Sequence, residues 1–270
     1  MKQLTSSRPI SPSDQAAGVR SLSRALDLLE VFPEHGPEIG LSQVANLAKM
    51  NKATAYRLLA TLEERGYVVR SPEGKKYRLG MKLFELGSYY QGQLELRRLA
   101  LPHLKAMVKQ TNEAAFLCIR EEDEALCVER VEAEYGINIF TLRVGGRQPL
   151  HLGAAPRTLL AGLDDTQIEA YARRTVLQPV TPYTMTRVED LIRDAHLTRQ
   201  QGYAVSLDDA HLGIAAVGAP VYDYTGCMAA SISLSGLSRN YTQEYIAGLL
   251  PVLMDAAQQI SAQLGFCQRD

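Results

Sequence analysis

The sequence predicts an α+β protein of two domains: a winged helix-turn-helix, a helical linker, and a mixed α/β domain filling the C-terminal half. Three observations carry this. Residues 41–79 read as helix, turn, helix and basic hairpin; residues 81–111 keep a helical apolar period; residues 112–270 mix short apolar strand runs with helical patterns. With 270 residues, 46% hydrophobic and 22% charged, the chain is long enough for two cores and ordinary in composition. No apolar run approaches membrane length, and MKQLTSSRPISPSDQ lacks the apolar stretch of a signal peptide, so the expected location is the cytoplasm.

Residues 1–17, rich in Ser, Pro and Gln, are expected to form a disordered arm. A first domain is then expected over 18–80, linker helices over 81–111 and a second domain over 112–270. VRSLSRALDLLEVF places Val19, Leu22, Leu26, Leu29 and Val31 or Phe32 on one helical stripe, capped by Ser21 and stopped at Pro33. Arg20 and Arg24 share a face, either reaching a phosphate or remaining solvated. HGPEIG reads as a loop.

The next helix runs from about Ser42, a candidate N-cap, to Lys49, and Met50-Asn51 makes the turn, with Asn able to adopt a left-handed backbone. A second helix covers about Lys52 to Arg65 and ends at Gly66. Ala55, Leu58, Leu59 and Leu62 form its buried stripe; Ala53, Arg57, Ala60 and Glu64 lie opposite, with Thr54, Tyr56 and Thr61 on the flanks. Small residues make the outer face slim enough for a major groove, where Arg57 can fork onto guanine; Lys52 and the helix N-terminus suit phosphate.

Tyr67–Arg70 and Lys75–Leu79 are strands around a Ser71–Gly74 turn, which puts Lys75 and Lys76 on a hairpin shoulder suited to phosphate contact. Charge agrees: residues 1–80 hold 12 Lys and Arg against 8 Asp and Glu, and residues 81–270 hold 17 against 22. A basic head on an acidic body suits a DNA reader attached to something else.

NKATAYRLLATLEERGYV, followed by a wing and YRLG, resembles the DNA-binding domain of the isocitrate lyase regulator (IclR) family of bacterial transcription factors, and VRSLSRALDLLEVF resembles that family's first helix. The resemblance implies a homodimer, or a dimer of dimers, that reads a pseudo-palindromic operator and binds a small effector through its second domain. The family often carries Ser where this chain has Ala53.

In the linker, Leu83, Leu86 or Gly87, Tyr90 and Leu94 mark one helix face. Leu104, Met107 and Val108 mark a second helix, with Pro102 in its first turn. AAFLCIR and ALCVERVEA are strands around the acidic turn Glu121–Glu124, which reads as a solvated hairpin tip. INIFTLRV is a further strand, closed by Gly145-Gly146. Helices are expected at about 154–163, 164–173 and 186–201, strands at GYAVSL, IAAVGAPVY and CMAASISLS, and a final helix over about 242–264.

GGRQPLHLGAAPRTLLA, GYAVSLDDAHLGIAAVGAPVYDYTG and AASISLSG resemble segments of the IclR effector domain, which implies a GAF-like fold and an effector pocket at Gly153, Ala154, Ser206, Ala216, Ser233 and Ser235. Ser206 stands where Asp is frequent, Ala216 where Cys is frequent and Pro156 where Gly is usual. Two polar handles are therefore replaced, and an organic or aromatic acid controlling a metabolic operon is the expected effector.

Enzyme chemistry has little foothold. The five His are scattered, no metal-ligand spacing, nucleophile elbow or phosphate loop is present, and the four Cys form no CxxC pair, so neither catalytic residues, a metal nor a cofactor is expected. The competing reading is a GAF-like thiol reductase or redox sensor using Cys118 or Cys227. Cys118 and Cys127, equally far from the turn centre, are expected to oppose each other across their hairpin.

Overall fold

The computed structural model describes residues 19–72, 74–93, 95–133 and 142–267, and it divides into two compact units between Gln93 and Leu94. The arm expected over 1–17 and most of INIFTLRV lie outside the described residues.

In the first unit the elements run α1 (Arg20–Glu30), α2 (Phe32–His35), β1 (Ile39–Gly40), α3 (Leu41–Leu47), α4 (Lys52–Glu64), β2 (Val68–Arg70), β3 (Lys76–Leu79) and α5 (Met81–Gln93). Leu28, Phe32, Ile39, Val44, Leu59, Val68 and Tyr77 close one core. The loop expected at HGPEIG contributes a strand: Ile39 pairs with Tyr77 and Gly40 with Lys76, making the wing a three-stranded sheet in the order β1-β3-β2.

Several local expectations are corrected. Ser42 does not cap α3; Gly40 holds the N-cap position, and Ser42 lies inside the first turn, exposed. The left-handed residue of the helix-turn-helix is Lys49 at φ 50°, whereas Asn51 is extended and caps α4 by accepting from the Thr54 N–H at 2.8 Å. Ser21 does not cap α1, whose N-cap is Val19, without a side-chain hydrogen bond. The α1 stripe is split: Val19, Leu22 and Leu26 are exposed, while Leu29, Val31 and Phe32 join Leu28 at the core. On α5, Leu86 and Gly87 are exposed and Leu83 is half-buried; the side chain of Tyr90 and all of Leu94 lie outside the described residues.

The second unit holds α6 (Glu95–Thr111), β4 (Ala114–Glu121), β5 (Glu124–Val131), β6 (Arg147–Pro149), α7 (Ala154–Ala161), α8 (Asp165–Arg174), α9 (Val188–Gln201), β7 (Ala204–Leu207), β8 (Ile214–Tyr222), β9 (Met228–Leu237) and α10 (Gln243–Gln263). Pro102 falls deep inside α6 rather than in its first turn, because the helix already starts at Glu95; there it lacks the N–H for an i→i−4 bond. Residues 142–144 are not strand, and the strand nearby is β6, which pairs with β5.

The sheet is antiparallel throughout, in the order β6-β5-β4-β9-β8-β7. Period-two alternation separates its faces. Ala115, Leu117, Val217, Ile232 and Leu234 pack with Leu104, Leu253 and Ile260 of α6 and α10. The other face carries small side chains: Ser231, Ser233 and Ser235 on β9, and Ala216 and Gly218 on β8. There α7 sits close enough that a Cβ on Gly218 would meet the Ala154 carbonyl oxygen and the Thr158 Oγ1, each at 2.9 Å. The helix backbone must shift to admit a methyl group. Gly218→Ala should therefore cost about 1–3 kcal/mol, read as a lower urea midpoint with an unchanged m-value; an unchanged midpoint would show that α7 slides freely on the sheet.

Candidate functional site

Two surfaces carry the residues singled out from sequence, one in each unit. In the first, Asn51 fixes the start of α4, Ala55 and Leu59 bury one side, and Lys52, Ala53, Tyr56, Arg57, Thr61 and Glu64 are exposed on the other. Thr54 is half-buried, and the Thr61 hydroxyl turns back to the Arg57 carbonyl at 3.2 Å, so its proton is committed to the helix itself. Lys75 and Lys76 are exposed on the hairpin, Arg20 is exposed at the start of α1, and Arg24 is half-buried.

Sequence reasoning missed Arg70. From β2 its guanidinium donates to Glu63 of α4 at 3.0 Å and lies 5.1 Å from the Tyr77 ring centroid and 5.8 Å from that of Tyr56. One cation thus ties the wing to the helix whose outer face carries Tyr56 and Arg57. Glu63 lies on α4 and Arg70 on β2 with a turn between them, so no single period relates the two and no local pattern announces the pair.

In the second unit all six nominated residues, Gly153, Ala154, Ser206, Ala216, Ser233 and Ser235, line one cavity of about 460 Å³ of unfilled space, open mouth included. Phe116, Leu142 and Ile214 supply apolar wall, and Gln148 and His211, absent from the sequence-based set, supply polar groups. The cavity lies where α7 begins. Gly153 holds the N-cap position at φ 82° with no side-chain cap, and Pro156 falls in the first turn, where its missing N–H leaves no helical bond unmade. Among the described residues, the N–H groups of Gly153, Ala154 and Ala155 have no protein acceptor. Three free donors at a helix N-terminus favour an anion.

The turn before α7 is clamped. The Tyr171 hydroxyl accepts from the His151 backbone N–H at 3.2 Å and lies 2.7 Å from His151 Nδ1, a contact whose donor is set by the ring's tautomer. Nε2 is buried and completes no hydrogen bond of ordinary geometry among the described residues. Burial pushes the imidazole below its usual pKa and the Tyr171 hydroxyl up to about 12. Behind the cavity, buried Arg157 of α7 faces Asp209 at 3.1 Å and Asp194 of α9 at 3.4 Å, and donates to the Val205 carbonyl. Asp209 in turn accepts from the Ser206 hydroxyl.

The thiols give the redox reading no support. Cys118 and Cys127 are register partners and are both reduced. The hydrogen bond with Cys127, together with burial, pushes the Cys118 thiol well above its usual value, which disfavours the reactive thiolate. Among the described residues, no group of three or more His, Cys, Asp or Glu is arranged to hold a metal.

Comparison with known proteins gives this geometry a family. The model of the bacterial transcriptional regulator IclR C-terminal domain matches residues 89–262, and that of the IclR helix-turn-helix domain matches residues 21–72. The chain belongs to the IclR family. It is 32% identical to the HTH-type transcriptional regulator KipR of Bacillus subtilis, over 92% of this chain and 98% of that one. The HTH-type regulator XynR of Escherichia coli is 30% identical with the same coverage. Among solved structures, the Thermotoga maritima IclR superposes with a TM-score of 0.75 at 31% identity, covering 91% of this chain and 99% of that one. An IclR homologue of Microbacterium hydrocarbonoxydans, complexed with 4-hydroxybenzoate, superposes with a TM-score of 0.80 at 27% identity, covering 90% and 98%.

In this IclR member, His151 provides a test of the clamp before α7. The fold favours the neutral ring, so the unfolded chain takes up the proton first. This contribution is complete above the unfolded pKa of about 6.5 and is lost as pH falls below it towards the lowered folded value. The stability advantage of the native chain over H151N, from urea unfolding, should shrink between pH 7.5 and pH 5.5. A constant advantage would mean that the imidazole is not held neutral.

Proposed function

We propose that this IclR-family regulator reads its operator through α4 and the wing and is controlled by a small organic or aromatic acid bound in the cavity at the start of α7. The observation that carries the reading is the pairing, within one chain, of an outward basic helix face with a pocket that ends on three unpaired backbone donors. The 4-hydroxybenzoate complex of the Microbacterium homologue, an acid held by a protein of the same family, supports it. In such a switch the effector acts only as far as it binds two states of the protein unequally.

We further propose that two copies act together. Val19, Leu22 and Leu26 on α1, and Met81 and Phe84 on α5, are large apolar side chains left in solvent within the first unit. Exposed large apolar side chains in such number suit a contact between copies, and a two-fold pair matches a two-fold operator. Sedimentation of the operator complex should give an even number of chains per site; a single bound chain would remove this part of the reading.

The DNA face is tested by substitution. Arg57→Ala should cost about 1–3 kcal/mol on the specific operator and less on random duplex, measured by titration of labelled DNA; equal losses would reduce Arg57 to a phosphate contact. Lys75→Ala should weaken both duplexes alike and lower the log–log salt slope by about one. An unchanged slope would place the wing away from DNA.

A further inference from the structure

One side chain joins the wing to the outer face of α4, and its contacts are unequal. Tyr56 and Glu63 are seven residues apart on α4, which puts them on the same flank, two helical turns from each other. Arg70 of β2 spans both. Its guanidinium is ion-paired with Glu63 at 3.0 Å and lies over the Tyr56 ring, 5.8 Å from the centroid. Its third neighbour is the ring of Tyr77, its register partner on β3, at 5.1 Å. Tyr77 is 3% exposed and part of the core of the first unit, so that end of the contact is fixed. Tyr56, 47% exposed, is the end that can move.

A tyrosine on a helix surface has two side-chain wells open to it, and crossing between them carries the ring and its hydroxyl to different places beside the helix. A cation over the ring favours one well. Attraction of that kind at a partly exposed site shifts the population by a factor of about two to five. The guanidinium itself is poorly placed to bind phosphate: Glu63 takes up its charge, and the side chain is 32% exposed. The exposed cations of the hairpin are instead Lys75 and Lys76.

Resting on the reading of α4 as the operator-facing helix, we infer that Arg70 is a positioning residue for sequence recognition. Anchored by Glu63 and Tyr77, it holds Tyr56 in one rotamer beside Arg57 and does not itself touch DNA. Tyr56 is then a specificity contact whose rigidity is supplied from the wing. A side chain already in its bound rotamer gives up no freedom on the matching sequence. On random duplex, where the ring meets no matching base edge, the same restraint gains nothing. Arg70 therefore acts on the ratio of the two affinities.

Titration of the full-length chain with labelled operator and with random duplex of equal length, over a range of salt concentrations, tests this. Tyr56→Ala should lower the ratio of operator to random affinity. Arg70→Ala should lower it by about two- to five-fold, by no more than Tyr56→Ala does, with the log–log salt slope unchanged. In the Tyr56→Ala background Arg70→Ala should lower the ratio no further, a non-additivity that a general loosening of the wing does not produce. Glu63→Gln, which keeps the cation and both rings, should give a smaller loss that is likewise silent in the Tyr56→Ala background; it carries the test if Arg70→Ala does not fold. A slope lowered by about one, with both duplexes weakened alike, would make Arg70 a phosphate contact and overturn the inference. So would a ratio indifferent to Tyr56 or to Arg70, or losses from the two that add. The reading of α4 is judged separately: it stands if Arg57→Ala still lowers the ratio, and falls if Arg57→Ala and Tyr56→Ala both leave it unchanged.

Discussion

The approach of α7 to the sheet at Gly218 is the constraint on which the second unit depends. A helix normally stands off a sheet by the depth of two layers of side chains; here the carbonyl of Ala154 and the hydroxyl of Thr158 occupy the space where a Cβ would project. The close contact is possible because the sheet face beneath is built from Gly, Ala and Ser. The Ser231 hydroxyl donates to the Ala155 carbonyl at 2.9 Å, tying helix to strand through a side chain two heavy atoms long. All of α7 is buried as a result. Its open N-terminus is thus held over a shallow, polar patch of sheet. The cavity is the volume that those small residues leave unfilled.

Buried charge then orients what backbone contact brings near. Arg157 faces two carboxylates, Asp194 and Asp209, and burial pushes Asp194 up while Arg157 pulls it down. A guanidinium between a buried and a half-buried acid contributes little net stability, because desolvation offsets most of the attraction, but it restricts geometry strongly. The restricted element is the Asp208–Gly213 loop, which carries His211 to the cavity. The Asp209 backbone carbonyl also accepts from Thr184 at 2.7 Å, and the Gly213 N–H donates to Asp208 Oδ1 at 2.6 Å.

Much of this was legible in the sequence where one period governs several residues at once. The buried stripe of α4, the strands at β8 and β9 and the shared face of Ser233 and Ser235 follow from spacing alone, while the gathering of the six cavity residues followed from family resemblance. What failed was decided by single contacts. Ser42 is a good capping residue, yet α3 starts at Leu41 directly after Gly40, while Asn51, assigned to the turn, caps α4. Ile39 joined a sheet because Tyr77 lay opposite it. The α1 stripe had the period of a buried face, yet period does not say what covers it: Leu29, Val31 and Phe32 pack at the core, and Val19, Leu22 and Leu26 stay outside. Arg157 and Asp209 pair across 52 positions, and nothing in either neighbourhood marks the partner.

The same long-range pair bears on how occupancy of the cavity is felt elsewhere. Ser206, Asp209, Arg157 and Asp194 form one unbroken series of polar contacts from the cavity wall to α9. On the proposed effector reading, a ligand that reaches Ser206 would act on the serine's bond to Asp209, which shares the Arg157 guanidinium with Asp194. A ligand held only by the α7 N-terminus and Ser233 does not touch that series. Two acids of equal affinity would then differ as effectors if only one of them reached Ser206.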